Sequence, residues 1–108
     1  MAKEIILYNL ADSVSDEEYK EYTLQKKGPF FAQLPSIKSF TLLRVTGSKK
    51  GEIPYNYVGI ADLTGPEEWA KDANSSEFGA FMKEWVTKVS DFQILFGEEI
   101  FQGGKESK

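Results

Sequence analysis

Two hydrophobic periods alternate along this chain. From Glu4 to Asn9 the sequence EIILYN is apolar on both sides of an extended strand, with Ile5 and Leu7 on one face and Ile6 and Tyr8 on the other. That is the mark of a central strand covered above and below. Asn9 shares the face of Ile5 and Leu7 at the strand's end. After a polar connection, Ser15 and Glu18 form a capping box, and Asp16, Glu17 and Glu18 suit the positive end of a helix dipole. A helix is therefore predicted from Asp16, with Tyr19, Tyr22, Thr23 and Lys26 as its inner stripe. Gly28-Pro29 ends or kinks it. Phe30, Phe31 and Leu34 add one more helical turn, and Pro35-Ser36 turns the chain.

The stretch from Leu34 to Leu63 is the centre of the pattern, two strands joined by a polar link from Gly47 to Pro54. The first strand runs from about Lys38 to Thr46; Phe40, Leu42 and Arg44 share one face, and Thr41, Leu43 and Val45 the other. The second, Tyr55 to Leu63, alternates Tyr55, Tyr57, Gly59 and Ala61 with Asn56, Val58, Ile60 and Asp62. Gly59 in mid-strand implies either a bulge or a large side chain packed on the backbone. Thr64 then caps a short helix that carries Pro66 and Glu67 in its first turn, with Trp69, Ala70 and Ala73 beyond. Asn74-Ser75-Ser76 breaks it and caps the next. Phe78, Phe81, Met82, Trp85 and Val89 form the clearest helical stripe in the chain. The last strand spans Phe92 to Phe101, interrupted at Gly97.

The order β-α-β-β-α-β is the ferredoxin-like arrangement: an α+β fold with a four-stranded antiparallel sheet and both helices on one face. Residues 1–102 are read as a single domain and 103–108 as a polar tail. The face without helices still carries apolar residues in the IILY, YVGIA and QILF runs, so it is a predicted interaction surface. A second copy of the same sheet is the simplest cover, giving a homodimer joined through the sheet face, a dimeric α+β barrel. The alternative is a monomer in which the tail and the Gly47–Pro54 link cover that face.

Composition narrows the chemistry. The chain has no Cys and no His, which removes disulfides, thiolate chemistry, a Ser-His-Asp triad and a His-ligated metal. A net charge of −4 disfavours nucleic acid and anionic membrane surfaces as partners. The apolar runs are too short to span a bilayer, and the N-terminus lacks a signal peptide's pattern, so a cytoplasmic protein is expected. No carboxylate pair, phosphate-binding loop or metal-ligand cluster appears, and no cofactor is implied.

The central hairpin, LPSIKSFTLLRVTG followed by YNYVGIADL, resembles the REDY-like (HapK) family of dimeric α+β-barrel proteins. The opening IILYNL and the terminal FQILFGEEI fit the same pattern, so the similarity runs from about Ile5 to Ile100. The resemblance implies a small dimeric barrel associated with bacterial pigment and related secondary-metabolite pathways, often acting on pyrrole- or polyketide-like intermediates.

A ligand in this architecture belongs between the helices and the sheet. Tyr8, Tyr22, Tyr57, Phe81 and Trp85 are candidates for its walls, with Tyr19, Phe30 and Phe78 nearby; for each, core packing is the alternative. Aromatic residues make up 14% of the chain, more than so small a core needs, which favours a planar ligand. The candidate catalytic groups are Arg44, Asn9, Asp62 and Lys26. Arg44 points where Phe40 and Leu42 point, and either stabilises negative charge on a substrate or pairs with Asp62 or Glu98. Lys26, on the tyrosine stripe, is either a desolvated base or Schiff-base former, or lays its methylenes on the core with its amine in water. Asn9 and Asp62, at strand ends, either orient a ligand or satisfy loop backbone. Two functions remain: a cofactor-independent enzyme for a small planar substrate, and a non-catalytic binding or accessory module for a hydrophobic molecule.

Overall fold

The computed structural model describes residues 2–104. Of the polar tail, residues 105–108 lie outside the described residues. The elements follow in the order β1 (Ala2–Leu10), α1 (Asp16–Tyr22), a π-helical turn (Thr23–Lys27), α2 (Gly28–Ala32), β2 (Ile37–Arg44), β3 (Tyr57–Leu63), α3 (Pro66–Ala73), α4 (Ser76–Trp85) and β4 (Val89–Glu98). The strands form one antiparallel sheet in the order β2-β3-β1-β4.

Register decides which side chains share a face. Phe40, Ala61, Glu4 and Phe96 lie in one row across the sheet, and Leu42, Gly59, Ile6 and Ile94 in the next. Arg44, Tyr57 and Tyr8 begin a third. The helices pack on this face: Tyr19 of α1 stands edge-on to Tyr8 and Tyr57, and Trp85 of α4 edge-on to Tyr8. Gly59 pairs in regular register, and a Cβ there would meet the Phe40 ring at 3.4 Å, so a large side chain on the backbone, not a bulge, explains it. The opposite face carries the rows Thr41–Ile60–Ile5–Leu95 and Leu43–Val58–Leu7–Gln93, mostly apolar and with no helix over them. Leu43 and Leu95 are exposed there.

The Ser15–Glu18 capping box forms as the spacing predicts, and Ser75 caps α4 by accepting from the Phe78 N–H. Other expectations are corrected. Of the two outcomes expected at Gly28-Pro29, an end or a kink, the helix does not end there but is distorted. In a regular α-helix the Pro29 ring would collide with the carbonyl four residues back. Instead the preceding turn widens, and the Gly28 N–H reaches Thr23 O, five residues back. A Cβ at Gly28 would lie 2.9 Å from that carbonyl, so this turn needs glycine's close approach. Gly65, not Thr64, occupies the N-cap of α3, and the Thr64 hydroxyl bonds Glu68 instead. β4 begins at Val89 and passes through Gly97, which pairs with Lys3. An extra residue in β4 opposite Tyr8, with Asp91 at φ 52°, makes a bulge. Phe92, beside that bulge, stands edge-on to Trp85.

Candidate functional site

The π turn sets which lysine enters the core. In uninterrupted α geometry the position seven residues after Tyr19 is Lys26, which shares its stripe. One widened turn shifts the face by about one residue, so Lys27 points inward in its place. Lys27 is 1% exposed, whereas the Lys26 side chain is 63% exposed and pairs with Glu84 at 3.4 Å. The inner-stripe position and the desolvated-base reading of Lys26 are thereby corrected, while its alternative, an amine in water, holds.

Lys27 Nζ lies 3.1 Å from Tyr8 Oη and 3.0 Å from Tyr19 Oη, and those two hydroxyls are 2.7 Å apart. The Trp85 indole N–H donates to Tyr19 Oη at 3.0 Å. Counting protons shows what this arrangement favours. With a neutral amine the triangle closes. Tyr19 donates to Nζ, Nζ donates to Tyr8, Tyr8 donates to Tyr19, and Trp85 fills the second lone pair on Tyr19. With an ammonium, Nζ donates to both oxygens, Tyr19 donates to Tyr8, and the Tyr8 proton has no acceptor within this cluster. The ring faces of Tyr8, Tyr19, Phe31, Phe40 and Trp85, with centroids 5.0 to 5.9 Å from Nζ, pull the other way, toward the cation.

Beside this cluster is a cavity of about 220 Å³. Phe31, Phe78, Phe81, Met82 and Trp85 wall it from the helical side, and Ile6, Ile94 and Phe96 from the sheet. Two ionisable side chains line it, Lys27 and Glu4. Glu4 is 4% exposed because it shares the covered face of β1 with Ile6 and Tyr8. Its Oε1 has no hydrogen-bond partner among the described residues. Burial pushes the Glu4 carboxyl up to about 7, a rise that the charge of Lys27 only partly offsets. Burial brings the Lys27 amine down to about 7, against the opposite pull of Glu4. Burial also raises both phenols, Tyr8 and Tyr19, so they stay protonated and serve as hydrogen-bond partners. The result is two buried groups, each brought to about 7 by desolvation, on the wall of an otherwise apolar cavity.

The other candidate residues fall elsewhere. Arg44 is at the rim of the covered face, 3.1 Å from Asp16, not paired with Asp62 or Glu98 as expected. Tyr57 donates to the other Asp16 oxygen, and burial and Asp16 push its phenol up to about 12. Asp62 is on the open face, bonded to Lys3 and Ser39. Asn9 holds loop backbone, donating to Pro54 O at 3.3 Å and accepting from the Asn56 N–H at 2.8 Å. Of the candidate wall residues, Phe81 and Trp85 line the cavity, Tyr22 stacks on Phe81, Tyr8 bonds Lys27, and Tyr57 stacks on Tyr8. Sequence reading missed Glu4 and Lys27. Strand parity alone exposes Glu4, a carboxylate in line with Ile6 and Tyr8. Lys27 carries no local signal, because its direction depends on the widened turn. Among the described residues no cluster of His, Cys, Asp or Glu has the makings of a metal site, and no helix is long and apolar enough to cross a membrane.

Comparison with known proteins places this geometry. HapK from Hahella chejuensis superposes with a TM-score of 0.79 at 20% identity, over 99% of this chain and 100% of that one. A mutant form of SnoaB, a cofactor-independent oxygenase from Streptomyces nogalater, gives 0.75 at 15% identity over 94% of each chain. A dimeric ferredoxin-like protein of unknown function from Thermobifida fusca gives 0.70 at 17% identity, over 89% of this chain and 88% of that one. At these identities the likeness establishes the ferredoxin-like α+β fold. No curated protein sequence matches the chain. The family model for the REDY-like protein HapK matches residues 2–100. The chain therefore belongs to the REDY-like HapK family.

Proposed function

We propose that this protein is a cofactor-independent enzyme that moves a proton on a small planar substrate held in the cavity between the sheet and the helices. One observation carries the reading: the two ionisable side chains of the cavity wall, Glu4 and Lys27, are both buried, which brings the carboxyl up and the amine down to about 7. Groups poised near the working pH are efficient proton donors and acceptors. Phe81 and Trp85 supply ring faces for a flat molecule, and Tyr8 and Tyr19 hold the amine in place. SnoaB, an oxygenase that needs no cofactor, supports cofactor-independent catalysis on this fold. The family resemblance supports a pyrrole- or polyketide-like intermediate of secondary metabolism as substrate, and the short apolar runs support a cytoplasmic setting.

The assembly we infer is a homodimer closed over the helix-free face. The apolar rows through Ile5, Ile60, Leu7 and Val58 support it, as does the dimeric state of the Thermobifida protein. Native mass spectrometry checks this directly; a monomer at micromolar concentration rejects the dimer.

The catalytic reading is tested with a panel of acylpyrroles and cyclic 1,3-diketones in deuterated water, followed by proton NMR. The wild-type protein is expected to accelerate exchange of the activated C–H of at least one compound, and Lys27→Met and Glu4→Gln to abolish the acceleration. Saturable binding without exchange or conversion anywhere in the panel rejects catalysis and leaves the second reading, a carrier for a hydrophobic molecule. The almost wholly apolar lining favours that reading next.

A further inference from the structure

The cavity holds an uncommon pairing, a primary amine without bulk water around it and a carboxyl oxygen without a partner. We propose that Lys27 captures a carbonyl group: its amine condenses with a small planar aldehyde or ketone seated in the cavity to form an imine, with Glu4 as the proton carrier. This rests on the reading of the cavity as the substrate site, and it names the substrate's reactive group.

Three features support it. Nucleophilic attack needs the neutral amine, which burial favours, and the Tyr8 and Tyr19 hydroxyls, 3.1 and 3.0 Å from Nζ, hold that amine at the cavity wall. The walls, Phe31, Phe81 and Trp85 among them, suit a conjugated carbonyl compound. They also keep water from reversing the condensation. Glu4 Oε1, buried and unpartnered on the same cavity, is free to bond the carbonyl oxygen.

The step balances. Nζ adds to the carbonyl carbon, and one amine proton passes to the oxygen, giving a carbinolamine. The Glu4 carboxyl then protonates that hydroxyl, the C–O bond breaks and water leaves. An iminium on Lys27 remains beside the Glu4 carboxylate, a charge-balanced pair. The iminium acidifies the neighbouring C–H, and the Glu4 carboxylate, on the same cavity, is the base available for that proton.

Chemical selectivity makes the proposal testable. With its amine brought down to about 7, Lys27 at neutral pH has about a thousand times the free-amine fraction of an exposed lysine near 10.4. The experiment is reductive trapping of the full chain with benzaldehyde or pyrrole-2-carbaldehyde and sodium cyanoborohydride near neutral pH. It is read by intact mass and peptide mapping, with tryptophan fluorescence followed in parallel, since Trp69 and Trp85 line the cavity. One adduct per chain is expected, mapped to Lys27, lost in Lys27→Met and kept in Lys26→Met. Labelling spread over the exposed lysines, or equal labelling of Lys27→Met, overturns the imine. Saturable quenching without an adduct also overturns it, while leaving the cavity as a binding site. Neither quenching nor adduct overturns both.

Discussion

The covered face of the sheet holds two aromatic clusters that differ in one respect. One is built on Tyr8, Tyr19, Tyr22, Tyr57 and Trp85, rings that each end in a polar atom. The other is built on Phe31 and Phe78 with Phe30, Phe40 and Trp69 against them, rings that, Trp69 apart, do not. Phe81 and Met82 pack against both. The phenylalanine cluster only excludes water and fills space. The tyrosine cluster does that and also organises protons. Lys27 sits at the seam, its amine over rings of both clusters and hydrogen-bonded only to the tyrosines. The cavity opens at the same seam, with Phe31 and Phe78 from one cluster and Trp85 and Ile6 from the other. Burial among these rings brings the amine down, against the pull of Glu4, and the phenols hold it in place.

The sharpest way to break this comparison is to cut equally central residues from the two sides. Phe31 is buried against Phe30, Phe40, Phe78 and Phe81. Phe31→Ala is expected to cost about 3–5 kcal/mol in urea unfolding, through lost burial and the cavity left behind. Tyr19→Phe removes one oxygen yet leaves the Trp85 N–H, the Tyr8 hydroxyl and the Lys27 amine short of a partner. It is expected to cost about 1–3 kcal/mol. A neutral Tyr19→Phe would show that the tyrosine side, too, is only packing.

The smallest effect per step is in the pH dependence of stability, and its sign is specific. The ordinary value of Glu4 is 4.5 and its folded value is about 7, so between these the folded state holds the extra proton and stability falls as pH rises. Lys27 goes from an ordinary 10.5 to about 7, so above 7 the unfolded chain holds the extra proton and stability rises with pH. Together they predict a trough near pH 7, with limbs of up to about 1.4 kcal/mol per pH unit. Glu4→Gln should flatten the acid limb and Lys27→Met the alkaline one, as measured by unfolding midpoints from pH 5 to 10. A wild-type profile that peaks at neutrality contradicts the burial of this pair. The phenylalanine cluster, with nothing to titrate, contributes to neither limb.

Much of this molecule was legible because the signals are local. Strand alternation grouped Ile6 with Tyr8 apart from Ile5 and Leu7, and Tyr57, Gly59 and Ala61 apart from Val58 and Ile60; the register keeps each group together and joins them across the sheet. Ser15 with Glu18 marked the start of α1, and the Asn74-Ser75-Ser76 triplet marked the start of α4, because a cap needs only its own few residues. The order of elements followed from these, and with it the ferredoxin-like sheet.

The site was decided elsewhere. Helical periodicity assumes 3.6 residues per turn; Pro29 forces one turn wider, so the core received Lys27 where uniform spacing predicts Lys26. Glu4 was on an apolar face by parity, but a carboxylate on a strand gains an altered pKa only from what packs over it. Lys27 and Glu4, 23 positions apart in the chain, meet one cavity only after the helices close on the sheet. Chain spacing sets face and period, since those depend on neighbouring dihedrals; desolvation and proton exchange depend on groups brought together from distant segments, and those the tertiary structure alone supplies.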